Sequence, residues 1–153
     1  MRTAKNPSTG ACRHRRGASA VELAVILPLL MTIVLGTVDF GRFAYNYIAV
    51  TNAARAGASY AIMNNYSASS LAAWRTAVKE AARDEMKLQT GYSASNLTVS
   101  DPVVTKDPPP SNLRRVRVTA SYQFNTLVDW NWPLLRIPNS INMMRQVEMR
   151  MIR

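Results

Sequence analysis

Few side chains in this sequence stand where they could do chemistry together. The one cysteine, Cys12, and the one histidine, His14, lie two positions apart in a basic N-terminal stretch. A single thiol closes no intramolecular disulfide, and one Cys with one His falls short of the four ligands of a closed metal site. A lipid-modified cysteine is excluded at Cys12 because no apolar stretch precedes Thr9-Gly10-Ala11. Asp84, Glu85, Asp101, Asp107 and Asp129 are scattered with no acid–base spacing, and no nucleophile–base pair or phosphate loop accompanies them. The sequence therefore predicts no enzyme, no metal, no cofactor and no small-molecule substrate. One carboxylate is out of place, because Glu22 is the single charge inside a long apolar run. At mid-bilayer such a group costs a few kcal/mol. Either Glu22 lies a turn inside the interface and reaches water, or it has a partner.

The element that carries Glu22 is legible. Residues Ala18 to Val38 read ASAVELAVILPLLMTIVLGTV, 21 residues that would make about 31 Å of helix. The hydrocarbon layer of a bilayer is about 30 Å thick, so a single transmembrane helix is predicted. Arg2, Lys5, Arg13, Arg15 and Arg16 precede it, and only Arg42 and Arg55 follow within twenty residues. That asymmetry keeps the N-terminus in the cytoplasm and exports the C-terminal part. The same five residues account for half of the formal net charge of +10. The remaining basic residues are spread along the chain, and without a reader motif the charge does not imply a nucleic-acid partner. Phe40, Phe43, Tyr45 and Tyr47 follow the run and suit either the headgroup region or packing on a downstream domain.

At the junction, Gly17 separates the basic Arg15-Arg16 from the apolar run, and Glu22 is the fifth residue after it. The pattern continues through Leu27-Pro28-Leu29-Leu30, Asp39-Phe40-Gly41-Arg42 and Asn52-Ala53-Ala54-Arg55-Ala56-Gly57-Ala58. Over roughly residues 13 to 62 the chain resembles TadE-like pseudopilins of tight-adherence (Flp-type) pilus systems. Leu23 stands where such proteins commonly carry an aromatic residue. The resemblance implies cleavage by a prepilin peptidase between Gly17 and Ala18. It also implies a role for Glu22 in pairing with the new amine of Ala18 on a neighbouring subunit, or in contacting the assembly platform. The implied partners are that peptidase, other pilins and pseudopilins, the assembly platform and membrane lipid. The implied site is the bacterial inner membrane, crossed once, with incorporation into a pilus. A rival cut exists, because Val34-Leu35-Gly36 fits a signal-peptidase motif that would release a protein starting at Thr37. A twin-arginine signal is weaker, since the expected context after Arg15-Arg16 is missing.

Past the membrane, a proline-free, alanine-rich stretch predicts that the helix continues to about Met63, with an Asp39–Arg42 pair worth only tenths of a kcal/mol. Gly41 and Gly57 mark sites of close packing in that stretch. Asn64 to Ser67 reads as a turn, with Ser67 or Ser69 as the cap of a second helix over Leu71–Leu88. Leu71, Trp74, Val78, Ala81, Ala82 and Met86 form its apolar face, with Trp74 in the core and Gly91 as a stop. Asn96–Ser100 reads as a short strand, and Asp107–Ser111 as a stiff exposed connector. Val116, Val118, Ala120, Tyr122 and Phe124 alternate with Arg115, Arg117, Thr119, Ser121 and Gln123, predicting a half-buried strand with a solvated basic face. Ile141, Met143, Val147, Met149 and Met151 predict a final strand beside it, with Arg145 the exception. The aromatic loop holding Trp130 and Trp132 fits a plug under the sheet slightly better than a contact patch.

The expected architecture is α+β. It comprises a basic prepilin-type leader over 1–17, a transmembrane helix over 18–38, its extension over 39–63, and an exported domain over 64–153 with a second helix and about three antiparallel strands. The expected function is that of a minor pilin-like structural subunit. The alternative is a membrane-anchored or secreted extracytoplasmic binding protein that never enters a pilus.

Overall fold

A computed structural model describes residues 12–111, 113–130 and 138–151, with side chains from Gly17 onward. The basic leader before Cys12, and the stretch 131–137 with Trp132, lie outside the described residues. Helix α1 spans Cys12–Met63, 52 residues, and the chain divides into two compact units between Val38 and Asp39.

In the first unit the helix is apolar on every side, and Val21, Leu23, Val25, Ile26, Leu29 and Ile33 all stand half or more exposed. Its length and composition suffice to cross a membrane. Thr32 and Thr37 make their hydroxyl hydrogen bonds inside the helix, as a water-free surrounding demands. Thr32 Oγ1 donates to the Pro28 carbonyl at 2.8 Å, and Thr37 Oγ1 donates to the carbonyls of Ile33 at 2.6 Å and Val34 at 2.9 Å. One N-terminal apolar helix of this kind fits a single-pass anchor.

The second unit packs the rest of α1 against α2 (Leu71–Lys87) and one face of a sheet. Val50, Ala53, Ala54, Ala58 and Ala61 of α1 are fully buried, together with Val78, Ala82 and Met86 of α2 and Val116, Val118 and Ala120 of the sheet. The alanines are small enough to let the layers approach. At Gly57 the approach is closest, because a Cβ there would lie 3.2 Å from Val118 Cγ1, 3.2 Å from the Val78 carbonyl oxygen and 3.3 Å from Ala82 Cβ. Gly41 has open space around it, so of the two glycines only Gly57 marks a close approach.

The α2 boundaries agree with the expected helix to within a residue, and Trp74, Val78, Ala82 and Met86 are its buried face. Trp74 belongs to the core, with its Nε1 donating to the Asn64 carbonyl at 2.8 Å and Tyr66 against its ring. The cap differs from the expectation: Ser70 holds the N-cap position and caps nothing with its side chain. Its Oγ instead accepts from the Ser67 backbone N–H at 2.8 Å, which stabilises the preceding turn. Gly91 adopts φ +79° in the turn after α2, a conformation that favours glycine.

The sheet has four strands in three ranks. The central strand β3 (Arg114–Asn125) pairs along its whole length with β4 (Ser140–Met151), antiparallel, with Val118 opposite Val147. Its other edge takes β1 (Leu97–Val99) and β2 (Val103–Lys106) end to end. A single edge strand is thus broken in two at Ser100-Asp101-Pro102, and β2 is the strand that sequence periodicity did not separate. The alternation in β3 is as expected, with Val116, Val118, Ala120, Tyr122 and Phe124 buried. The fold is α+β with a small antiparallel sheet.

Candidate functional site

The segment that carries the expected processing chemistry is exposed throughout. Gly17, Ala18 and Glu22 all lie on the solvent-facing surface of α1, and a Cβ at Gly17 would meet nothing within 4 Å. Glu22 has no hydrogen-bond or ion-pair partner among the described residues. Among the described residues Glu22 is thus an unpaired carboxylate on an apolar helix.

In the second unit Asp39, which sequence reasoning had assigned only a weak helical pair, is a heavily bonded polar side chain. It is 6% exposed, and its two oxygens accept from four groups. The backbone N–H groups of Leu127 and Val128 donate at 2.9 and 3.4 Å. Trp130 Nε1 donates at 3.0 Å, and Arg42 Nη1 at 3.2 Å. Burial pushes the Asp39 carboxyl up, but the donors from Leu127, Trp130, Val128 and Arg42 together outweigh it, and its pKa lies below the ordinary 3.8. A loop about ninety positions away in sequence is therefore held on the first residue after the apolar run. Asn139 closes that loop from its other end, donating to Asp129 and accepting from the Trp130 backbone N–H. Trp130 is half-buried and clamps the loop to α1; it does not plug the core. The only sequence sign of this clamp was a charged residue directly after the apolar run.

The aromatics after the run divide between the two roles considered for them. Phe43 packs on Phe124, with ring centroids 5.7 Å apart and edge to face, and Tyr47 lies under the Arg145 guanidinium at 4.1 Å. Phe40 and Tyr45 are 70% and 53% exposed. Arg145, the exception on the inner face of β4, is thereby accounted for. It stacks on Tyr47, and its Nε donates to Thr51 Oγ1 at 3.2 Å, so its charge is accommodated at the margin of the core.

On the outer face of the sheet, Glu148 bridges Arg115 at 3.3 Å and Arg117 at 3.1 Å, and Asp107 pairs with Arg115. Arg117 and then Arg115 hold the Glu148 carboxyl below its ordinary value. These exposed pairs are worth little individually; the face of β3 is solvated and basic as expected, and the structure adds the acidic partners that sequence reading had not placed there. Among the described residues no three His, Cys, Asp or Glu side chains converge in a way that could hold a metal ion.

Comparison with known proteins bears on the N-terminal half alone. The family model described as "TadE-like protein" matches residues 17–59. The match begins at the glycine of the expected cleavage junction. It ends inside the small-residue stretch that packs α1 on α2. No curated protein and no solved structure matches the chain.

Proposed function

We propose that this chain is a pseudopilin-like structural subunit of a tight-adherence pilus system, anchored in the inner membrane and matured by a prepilin peptidase. The observation that carries the reading is the coincidence of the TadE-like match over residues 17–59 with an exposed apolar helix bearing one carboxylate, Glu22, unpaired among the described residues. Cleavage after Gly17 would create an ammonium group on Ala18, four residues before Glu22. In the low dielectric of the bilayer an ammonium and a carboxylate attract far more strongly than in water, and each relieves the desolvation of the other. A neighbouring subunit can supply the ammonium, which makes lateral packing of helices the means of burying both charges. The positive residues before Ala18 would hold the leader in the cytoplasm, where the peptidase must reach it. Nothing in this mechanism requires catalysis by the chain itself.

The decisive experiment is mass spectrometry of the mature N-terminus from the membrane fraction of a host with its own prepilin peptidase. A start at Ala18 is expected. A start at Thr37 would mean release by signal peptidase and end the subunit reading, and an intact Met1 would leave a static anchored binding protein. Glu22→Ala is expected to leave the protein in the membrane and to abolish its recovery with sheared pili or with the assembly platform.

A further inference from the structure

The apolar run ends at Val38, and Asp39 is the next residue of the chain. A group bonded to Asp39 therefore stands beside the end of the run. The loop after β3 is bonded there, through the backbone N–H groups of Leu127 and Val128 and the Trp130 indole. The same loop is tied to itself. Thr126 Oγ1 donates to the Val128 carbonyl at 2.8 Å, and the Thr126 N–H donates to the Asn139 carbonyl at 2.9 Å. With its amides and indole turned to Asp39, the loop leaves the Leu127 side chain 66% exposed. Phe40, covalently next to Asp39, is 70% exposed. Two large apolar side chains are thus held in the open beside the end of the run.

What covers them follows from that position. A helix that crosses a bilayer over residues 18–38 leaves the hydrocarbon at about Val38, so the residues around Asp39 meet the headgroup layer. Apolar side chains gain there by leaving water. The surroundings of Asp39 agree. A carboxylate beside hydrocarbon is costly unless donors surround it, and its four donors leave Asp39 only 6% exposed. Facing water alone, a carboxylate on a helix surface needs no such cover. Asp129, exposed two positions after Leu127, sets the depth. Its carboxylate accepts from Asn139 Nδ2 at 2.6 Å and belongs among headgroups, so the contact reaches only about 5–10 Å into the headgroup–acyl boundary. Arg42, exposed beside Asp39, suits the phosphate oxygens of that layer.

We propose that the loop over residues 126–130, together with Phe40, is a lipid-contact surface that seats Leu127 at the headgroup–acyl boundary of the bilayer crossed by α1. The second unit then touches the bilayer at a point besides the helix that enters it. Asp39 is the positioning residue of this surface, since its hydrogen bonds hold the loop where Leu127 meets lipid. The inference rests on the single-pass anchor of the proposed function and is independent of cleavage after Gly17.

The test uses the full-length chain with Cys12→Ser, reconstituted into phosphatidylcholine vesicles. A nitrobenzoxadiazole fluorophore is attached to a single cysteine at Leu127→Cys, Phe40→Cys or Ser111→Cys, all exposed positions that tolerate the change. Position 111 precedes β3, at the opposite end of that strand from the loop, and its label is expected to ignore spin-labelled lipid. The label at position 40 is expected to be quenched wherever α1 is inserted. The label at position 127 is expected to lose about half or more of its emission to a lipid spin-labelled near the top of the acyl chain, and less to one labelled near its end. Without the fluorophore, the Leu127→Cys thiol is expected to react with a membrane-impermeant maleimide about tenfold more slowly in vesicles than the Ser111→Cys thiol. Quenching at 40 with a label at 127 as insensitive as that at 111, or equal thiol rates at 127 and 111, overturns the lipid contact and leaves the anchor standing. A label at 40 that is also insensitive removes the anchor, and the lipid contact with it.

Discussion

Asp39 shows how much one carboxylate can organise when it is buried among donors. Its four hydrogen bonds join two backbone amides, an indole and a guanidinium to the helix. A charged acceptor makes such bonds stronger than a neutral one would. Replacing it with asparagine keeps the shape, removes the charge and turns one end into a donor facing other donors. Asp39→Asn is expected to lower stability by about 1–3 kcal/mol, read as a fall in the thermal midpoint of the detergent-solubilised chain. The pH dependence has a definite sign. Because the folded-state pKa lies below the ordinary 3.8, the carboxylate contributes its full stabilisation above about pH 4 and loses it as the pH falls through the folded value. The wild-type midpoint should therefore drop more steeply below pH 4 than that of Asp39→Asn. Equal slopes in the two proteins would remove Asp39 as the source.

At the scale of elements, the contact between α1, α2 and β3 is governed by small residues, and the two glycines of α1 separate its effects. A Cβ at Gly57 would meet a backbone carbonyl and two core side chains within 3.3 Å, so Gly57→Leu is expected to destabilise the fold by about 1–3 kcal/mol through overpacking. Gly41 has nothing near its missing Cβ, so Gly41→Ala is expected to stabilise by about 0.5–1 kcal/mol through helix propensity alone. Thermal unfolding of both variants in the same detergent checks the opposite signs, and a matching sign would contradict this account of packing. Arg145 belongs at the same scale, because β4 carries a cation on its core side only where α1 offers a ring and a hydroxyl. Arg145→Met keeps the stem but loses Tyr47 stacking and the Thr51 bond, and about 1 kcal/mol of destabilisation is expected.

For the whole molecule, the distribution of charge about the apolar run implies an orientation. A cysteine at Ser111, exposed in the connector before β3, placed in a Cys12→Ser background, is expected to react with a membrane-impermeant maleimide in cells whose outer envelope has been opened. Reaction only after lysis would reverse the topology and leave Gly17 on the wrong side for a cytoplasmic peptidase. Together with the mature N-terminus, this result distinguishes an anchored subunit from a static anchored binding protein.

The sequence by itself determined the elements whose signal is local. An apolar run of membrane length, an alanine-rich continuation, a 3.6-residue period in α2 and alternation in β3 and, Arg145 excepted, in β4 each depend on neighbours within a few positions. The residues resembling TadE-like proteins were legible for the same reason, being contiguous. Tertiary structure alone decided which polar groups meet across long intervals. Asp39 finds Trp130, Arg145 finds Tyr47 and Thr51, and the edge of β3 is shared by β1 and β2. None of these pairings has a period, because each arises where separately stable elements come to lie side by side. Among the described residues, Gln89 Oε1 emerged in the same way as a buried acceptor without a donor. A lack of partners is a property of the packed molecule, and no local pattern of residues displays it.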